Sequence, residues 1–395
     1  FWIVRHTAMK LCFLTGEYPP MQGGVADHTR HLAQHLAAMD VQVAVLTSVK
    51  ASPADSSTSA SVHPIIRSWR LSCWKQIACF LAAMSPDIVH IQYQAAAYDL
   101  TAWINWLPWR LRLGRVKPRV VVTFHDLRVP YIFPKAGPLR RWSVLALARY
   151  ADVVITTNAE DEAALRRYAW ATHVRRVPLG SNIEPQPPAG YQRSTWRQQR
   201  GVEDSTLLLA YFGFLNPSKG GEDVILVLDR LVRRGFDARL LMIGGQVGDV
   251  DATNRAYLEQ VRALIRLHHL EDRVVWTGHL EAEEVSAALL AADVVVMPYR
   301  DGVSFRRTTF IAALRHGCPV VTTPPAVALP ELQAGDNVLL APVGDVDAMA
   351  ESVAQVTLDP SLAARLRSGA LALGRAFDWS EIARRTRQVY QELGF

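Results

Sequence analysis

The chain is poor in cysteine: Cys12, Cys73, Cys79 and Cys318 are its four, and no two form a C-x-x-C pair. That argues against a disulfide framework or a cysteine-rich zinc site. Cys12 and Cys318 lie in apolar runs and read as buried, reduced thiols of a cytoplasmic protein. No run is long and apolar enough to span a bilayer. Phe1 to Ala8, ahead of Met9, lack the long apolar region of a signal peptide, and Met9 reads as the natural start. No cluster of His, Asp and Glu has metal-ligand spacing, so no metal is expected. Acid is scarce in one place: from Trp103 to Tyr150 only Asp126 is acidic, against ten arginines and lysines.

What is present fits a globular enzyme. A chain of 395 residues exceeds a usual single core, so two domains are expected. The net charge of +6 and a pI near 9.2 favour anionic partners such as nucleotide phosphates or acidic lipid headgroups. No nucleic-acid-binding module accompanies the basic residues, so nucleic acid is not an expected partner. Apolar runs at Leu11–Thr15, Val41–Thr47, Ile88–Ile91, Val120–Phe124 and Val153–Thr156 alternate with helical stretches such as Val25–Met39. This pattern predicts a parallel, doubly wound sheet. Ala51–Ser61 reads as a Ser-rich loop. Glu184–Gly190, EPQPPAG, breaks the pattern. It restarts at Leu207–Phe212, Leu240–Ile243, Val274–Thr277, Val294–Met297 and Val320–Thr323. The expected architecture is α/β: two doubly wound Rossmann-like domains, 1–185 and 200–375, with an interdomain cleft. A C-terminal helix, 376–395, crosses back to the first domain.

Ligands of such sheets bind beyond the carboxyl ends of the strands. After the first strand, Gly23 and Gly24 lead into a helix whose free N–H groups can receive an anion. An ordinary glycine turn explains the pair equally simply, with Asp27 and His28 as first-turn residues. His125 and Asp126 end another strand. A histidine there can bond a substrate hydroxyl, or be a satisfied loop residue. Tyr131–Lys135 offers an amphipathic surface. In the second half Gly213 ends a strand and Lys219 stands at a helix start, where its charge adds to the helix dipole and suits a diphosphate. Gly244 and Gly278 end two further strands, as turn glycines or as close-approach points for a nucleotide. The densest segment joins Gly302, Ser304, Arg306, Arg307, Thr308 and Thr309 between a strand and a helix. Paired arginines there can grip phosphate oxygens. The Trp103–Arg119 stretch has two readings: a helix with core tryptophans and a solvated arginine face, or a peripheral attachment to anionic lipid.

In this order and spacing, several segments resemble the retaining family 4 glycosyltransferases, which have the GT-B fold: Pro19–Gly24, DIVH (87–90), His125-Asp126, PLGSNI (178–183), Gly213…Lys219-Gly220, Gly278, Gly317-x-Pro319-Val320-Val321, Pro330-Glu331 and NVLLAP (337–342). The resemblance covers nearly the whole chain. It implies transfer of a sugar from a nucleotide-diphosphate sugar to a sugar, glycan or lipid-linked acceptor, with retention and no cofactor or metal. Gly23 and Gly24 would face the donor diphosphate, His125 would lie near the reacting sugar, and Lys219 would neutralise the leaving diphosphate. Asp27, Asp126 and Lys135 are expected on the acceptor side.

This sequence departs from the family in two places. An arginine usually follows the glycine aligned with Gly213; here it is Phe214. The usual E-x7-E glutamates are missing, with Ser304 and Ala312 at their positions. Our reading is a rebuilt donor site in which Arg306 or Arg307 replaces the arginine, and Asp301 or Thr309 supplies polar contacts. The alternatives are a nucleotide-sugar epimerase of the same fold and an inactive sugar-nucleotide-binding scaffold. The expected location is cytoplasmic, with peripheral contact at the inner membrane surface as one reading.

Overall fold

Residues 8–21, 23–51, 60–127, 137–244 and 252–395 are described by the computed structural model. One unit runs through Leu179 and takes in Trp379–Phe395; the other is Gly180–Asp378. In the first, the apolar runs form strands β1 (Lys10–Thr15), β2 (Gln42–Ser48), β3 (Ser61–Ile66), β4 (Ile88–Tyr93), β5 (Arg119–Phe124), β6 (Val153–Thr156) and β7 (Val174–Arg176). Between them lie α1 (Gly24–Ala37), α2 (Cys73–Met84), α3 (Leu107–Arg112), α4 (Gly137–Tyr150) and α5 (Ala159–Arg166). The second unit has β8 (Leu207–Phe212), β9 (Ala238–Ile243), β10 (Val274–Trp276), β11 (Val294–Met297), β12 (Val320–Thr322) and β13 (Leu339–Leu340). Its helices are α6 (Arg193–Gln198), α7 (Gly221–Arg233), α8 (Ala252–Leu267), α9 (Ala282–Ala291), α10 (Thr308–Arg315), α11 (Val346–Leu358) and α12 (Pro360–Gly374). The last helix, α13 (Trp379–Gln391), belongs to the first unit.

Both sheets are parallel, and both bury their two faces. The first has the order β3-β2-β1-β4-β5-β6-β7. Successive strand residues point to opposite faces. Cys12, Leu14, Val89, Ile91 and Val122 therefore pack on α2, α3 and α4 through Ile77, Leu81, Leu107, Leu111 and Leu147. Leu11, Phe13, Val45, Ile88 and Val121 pack on Leu32 and Leu36 of α1 and on Ile382, Val389 and Tyr390 of α13. The second sheet has the order β10-β9-β8-β11-β12-β13. One of its faces buries Leu209, Tyr211, Leu240, Met242 and Val296 against Val224, Leu228, Val261 and Val353.

Three edge strands depart from the expectation. β3 follows the Ser-rich stretch, of which 52–59 lie outside the described residues. Pro64 within it removes a ladder donor, which an edge strand tolerates. β7 and β13, of three and two residues, are too short for a periodicity to register.

Strand order reverses between β1 and β4 in one sheet and between β8 and β11 in the other. Loops leaving such a pair run to opposite sides and leave a crevice beyond the strand ends. At the second of these points Gly220 has φ 68°, and a Cβ there would stand 2.1 Å from the Pro298 carbonyl oxygen. Only a bare backbone lets the loop after β8 pass the loop after β11. Gly220→Ala is expected to lower stability by about 3 kcal/mol, combining a left-handed conformation with overpacking. Chemical denaturation measures it, and a loss below about 1 kcal/mol would refute this close approach.

Candidate active site

In the second unit, the loop after β8 begins at Gly213, with φ 131°. A side chain there would lie 3.5 Å from Lys219 Nζ and 3.5 Å from Thr309 Cγ2, so glycine keeps the space between them open. Asn216 shapes the next turn by accepting the Ser218 N–H at 2.8 Å. Lys219 follows, half-buried, just ahead of α7. Burial lowers its pKa, and the nearby Arg307 cation adds to the effect while Asp301 opposes it.

The loop after β11 supplies the opposing groups. Arg307 stands 4.0 Å over the ring of Tyr299 and is ion-paired with Asp301. Tyr299 is buried, and its hydroxyl lies 3.4 Å from Thr309 Oγ1. Thr308 and Thr309 open α10, whose first N–H groups face its N-terminal side. Gly244 and Gly278, ending β9 and β10, form an isolated antiparallel bridge. A Cβ on Gly244 would lie 3.9 Å from the Gly213 backbone. The structure thus brings Gly213, Lys219, Asp301, Arg307 and Thr309 together, with Gly244 and Gly278 alongside. Ser304 serves its own turn by accepting the Arg306 N–H at 3.2 Å. Phe214 is 51% exposed. Tyr299, which holds Arg307 in place, was not among the expected residues; its position directly after β11 was the available signal.

In the first unit the loop after β1 carries Glu17, whose burial raises its carboxyl pKa. Its Oε2 would lie 2.2 Å from a Cβ on Gly23, so that carboxylate lies against Gly23, while Gly24 faces open space. Gly24 opens α1, and Asp27 in its first turn pairs with Arg30 at 3.6 Å. Asp126 is half-buried in the loop after β5. Lys135, with the rest of Tyr131–Lys135, lies outside the described residues.

His125 heads a buried polar chain. Its Nε2 is 2.8 Å from Gln92 Oε1, the Gln92 amide nitrogen is 3.4 Å from His90 Nε2, and Thr123 Oγ1 is 2.7 Å from that same nitrogen. His90 Nδ1 reaches the Tyr390 hydroxyl of α13 at 2.6 Å. With the Gln92 oxygen toward His125, the histidine donates from Nε2, and its Nδ1 keeps a lone pair. His28 of α1 stands edge-on to His125 at 4.7 Å, and Trp379 stacks on His31 at 4.8 Å. Burial lowers the pKa of His125 to about 4, of His90 to about 3, and of His28 well below its ordinary value. His125 is therefore neutral at pH 7 and can accept a hydrogen bond or a proton. Gln92, His90 and Tyr390 were missed. The trace they leave is the two polar residues at alternate positions of the otherwise apolar β4.

A model of group 1 glycosyl transferases matches residues 206–359, and a glycosyl transferase 4-like domain matches residues 23–180. The chain is a family 4 glycosyltransferase. The Corynebacterium glutamicum GDP-mannose-dependent monoacylated alpha-(1-6)-phosphatidylinositol monomannoside mannosyltransferase is 24% identical over 391 residues, with 94% of each chain covered. Sucrose-phosphate synthase from Thermosynechococcus elongatus superposes with a TM-score of 0.72 at 22% identity, covering 98% of this chain and 99% of that one. Anabaena HepE in complex with UDP gives a TM-score of 0.74 at 18% identity, covering 97% and 100%. These likenesses and the two parallel sheets give the GT-B fold, and the family makes this glycosyltransferase an enzyme.

Gln92→Leu is expected to lower the transfer rate about tenfold or more by releasing the His125 ring. It should also change the His125 imidazole nitrogen shifts, and an unchanged His125 spectrum would refute the coupling. The buried histidines also predict a pH response. Their folded pKa values lie below the unfolded value near 6.5, so the unfolded chain binds more protons between that pH and about 4. Stability should fall as pH drops through this window, by several degrees of melting temperature. A flat melting temperature from pH 7 to about 4.5 would contradict it.

Proposed function

We propose that the enzyme transfers a sugar from a nucleotide-diphosphate sugar, bound at the reversal point of the second unit, to a sugar, glycan or lipid-linked acceptor. The observation that carries this reading is the convergence of Lys219, Arg307 and Thr309 around the bare backbone of Gly213. In the reaction the bond between the anomeric carbon and the β-phosphate oxygen breaks, a bond to the acceptor hydroxyl oxygen forms, and that hydroxyl's proton passes to the departing diphosphate. Negative charge gathers on the departing diphosphate. Lys219 and Arg307 meet it with fixed positive charge in a partly desolvated site, where each interaction is worth more than in water. Two protein cations fill the role that a metal ion plays elsewhere, so the transfer runs without metal.

Arg307 takes the place of the arginine absent at 214. Asp301 is then the acid that aims Arg307, which differs from a glutamate that touches the donor. Arg306, Ser304, Thr308 and the glycines Gly244 and Gly278 complete the donor-side surface in this reading. His125, neutral and with a lone pair on Nδ1, serves the reacting sugar. Gly23, Gly24, Asp27, Asp126 and Lys135 belong to the same reading of the first unit. Retention follows from the family resemblance. Relatives support the donor class: HepE is described with UDP and with UDP-glucose, and the corynebacterial mannosyltransferase as GDP-mannose-dependent. The four free cysteines accord with a cytoplasmic setting.

Lys219→Ala is expected to reduce turnover by about a hundredfold to a thousandfold, the scale of one lost charge-stabilising contact. The assay is transfer with a donor found by thermal-shift screening of nucleotide sugars. Near-normal transfer by the folded variant would sink the assignment, and product formation without any acceptor would point to an epimerase.

A further inference from the structure

The segment Trp103–Leu113 has apolar residues on two sides. Ile104, Leu107 and Leu111 are buried in the first unit's core. Trp106, Trp109 and Leu113, at helical spacing on the other side, are exposed, Leu113 to 64%. An apolar side of a helix is ordinarily covered by other parts of the protein. Here the protein covers one. The neighbouring α4 repeats the pattern: Leu139 is 76% exposed and Trp142 70%. The two helices are held together by Asn105, which donates to Ser143 Oγ at 2.9 Å, and by the Trp106 and Tyr150 rings at 6.4 Å. Trp103 is fixed edge-on to Trp74 of α2 at 5.8 Å.

Two apolar clefts open at this surface. One, of about 220 Å³, is lined by Trp74, Leu81, Leu107 and Leu111, with Arg110 and Arg115 among its walls. The other, of about 160 Å³, lies between Leu139 and Val144 of α4 and Ala102 and Asn105. Arg110, Arg112, Arg115 and Lys117 are exposed, and none of the four has an ion-pair partner among the described residues.

We propose that this α3–α4 surface docks on an anionic lipid bilayer. Tryptophans at a rim, leucines projecting beyond it and unpaired cations alongside are the composition of a membrane interface. The leucines and tryptophans enter the headgroup boundary, the clefts accept the ends of acyl chains, and the cations meet lipid phosphates. A second copy of the chain fits poorly, because self-association through this face sets arginine against arginine. The inference stands on this geometry and goes beyond the sugar-transfer reading. It joins that reading if the acceptor is lipid-linked.

The test uses the intact enzyme with phosphatidylcholine vesicles, plain or about one-third phosphatidylglycerol, at low salt. Expected are cosedimentation with the anionic vesicles alone and a blue shift of tryptophan emission. Replacing Arg110, Arg112 and Arg115 by Gln should weaken binding by about a hundredfold, at roughly fivefold per cation. The double variant L139S/W142S should lose most of the binding and part of the blue shift. Circular dichroism checks the fold of both variants, whose altered side chains are solvent-exposed. The wild-type arm needs no substitution. No binding of the wild type to anionic vesicles would overturn the proposal, as would unchanged binding by either variant. So would a dimer, seen by light scattering, that L139S/W142S dissolves. Nucleotide-induced thermal stabilisation is measured in parallel. It reports on donor binding alone, so failure at the bilayer and failure of the sugar-transfer reading are told apart.

Discussion

A parallel sheet covered on both faces leaves little freedom in where function can sit. Its strands are joined by helices that cross over in one hand, so a reversal of strand order sends adjacent loops to opposite sides. In the second unit that happens between β8 and β11. A gap opens there with no need of any particular side chain. The sequence then has to keep it open and line it. Gly220 passes under the Pro298 carbonyl, Gly213 leaves room beside Lys219, and the β11 loop brings Arg307 and Thr309 from across the gap. Gly213, Lys219, Asp301 and Arg307 all lie on the two connections that the topology had already brought together, those after β8 and β11.

Two cations close to one another repel, and burial makes the repulsion stronger. The arrangement tolerates this because each charge is steadied differently. Arg307 rests on the electron-rich face of Tyr299 and pairs with Asp301, while Lys219 accepts a lowered pKa. With two cations and one acid, the cluster carries an excess of positive charge. On the proposed reading, a diphosphate bound there would relieve the repulsion, and the extra charge of a departing diphosphate would relieve it more. That is the differential stabilisation a transfer reaction needs. Phe214 on the β8 loop is exposed and uncharged, and the second positive charge of the cluster comes from the opposite loop, where Arg307 pairs with Asp301.

Much of the fold was legible because its physical cause is local. A strand buried on both faces must be apolar throughout, and β1, β5, β8 and β11 are continuous runs of such residues. β7 and β13 escaped because two or three residues show no period, and β3 because Pro64 argues against a strand wherever a ladder donor is required. The positions of Gly213, Lys219, Gly244, Gly278 and Arg307 beyond strand ends were legible in the sequence. Two kinds of feature were not. The role of Tyr299 depends on Arg307 folding back over it, a contact that no spacing rule anticipates. The relay behind His125 joins Gln92, His90 and Tyr390, the last pair 300 residues apart. Only the packing of α13 on the sheet creates it, although the alternate polar residues of β4 hinted that one face of that strand was not plain core.

The two faces of the first unit's sheet show how differently one chain can cover apolar surface. On one face α1 and α13 finish the job, and the polar residues trapped beneath them satisfy one another through the histidine relay. There burial yields rigidity, since a neutral imidazole held by Gln92 cannot turn without leaving a buried donor unpaired. On the other face α2, α3 and α4 cover the sheet yet carry a second apolar layer outward. Leaving tryptophan and leucine in water is unfavourable by the same accounting that drives the core together. Exposed apolar patches of this kind, rimmed by charge, mark surfaces with a counterpart. The surrounding cations give that counterpart its sign. The same helices that bury Leu107 and Leu147 against the sheet thus present Trp109 and Trp142 to whatever lies beyond.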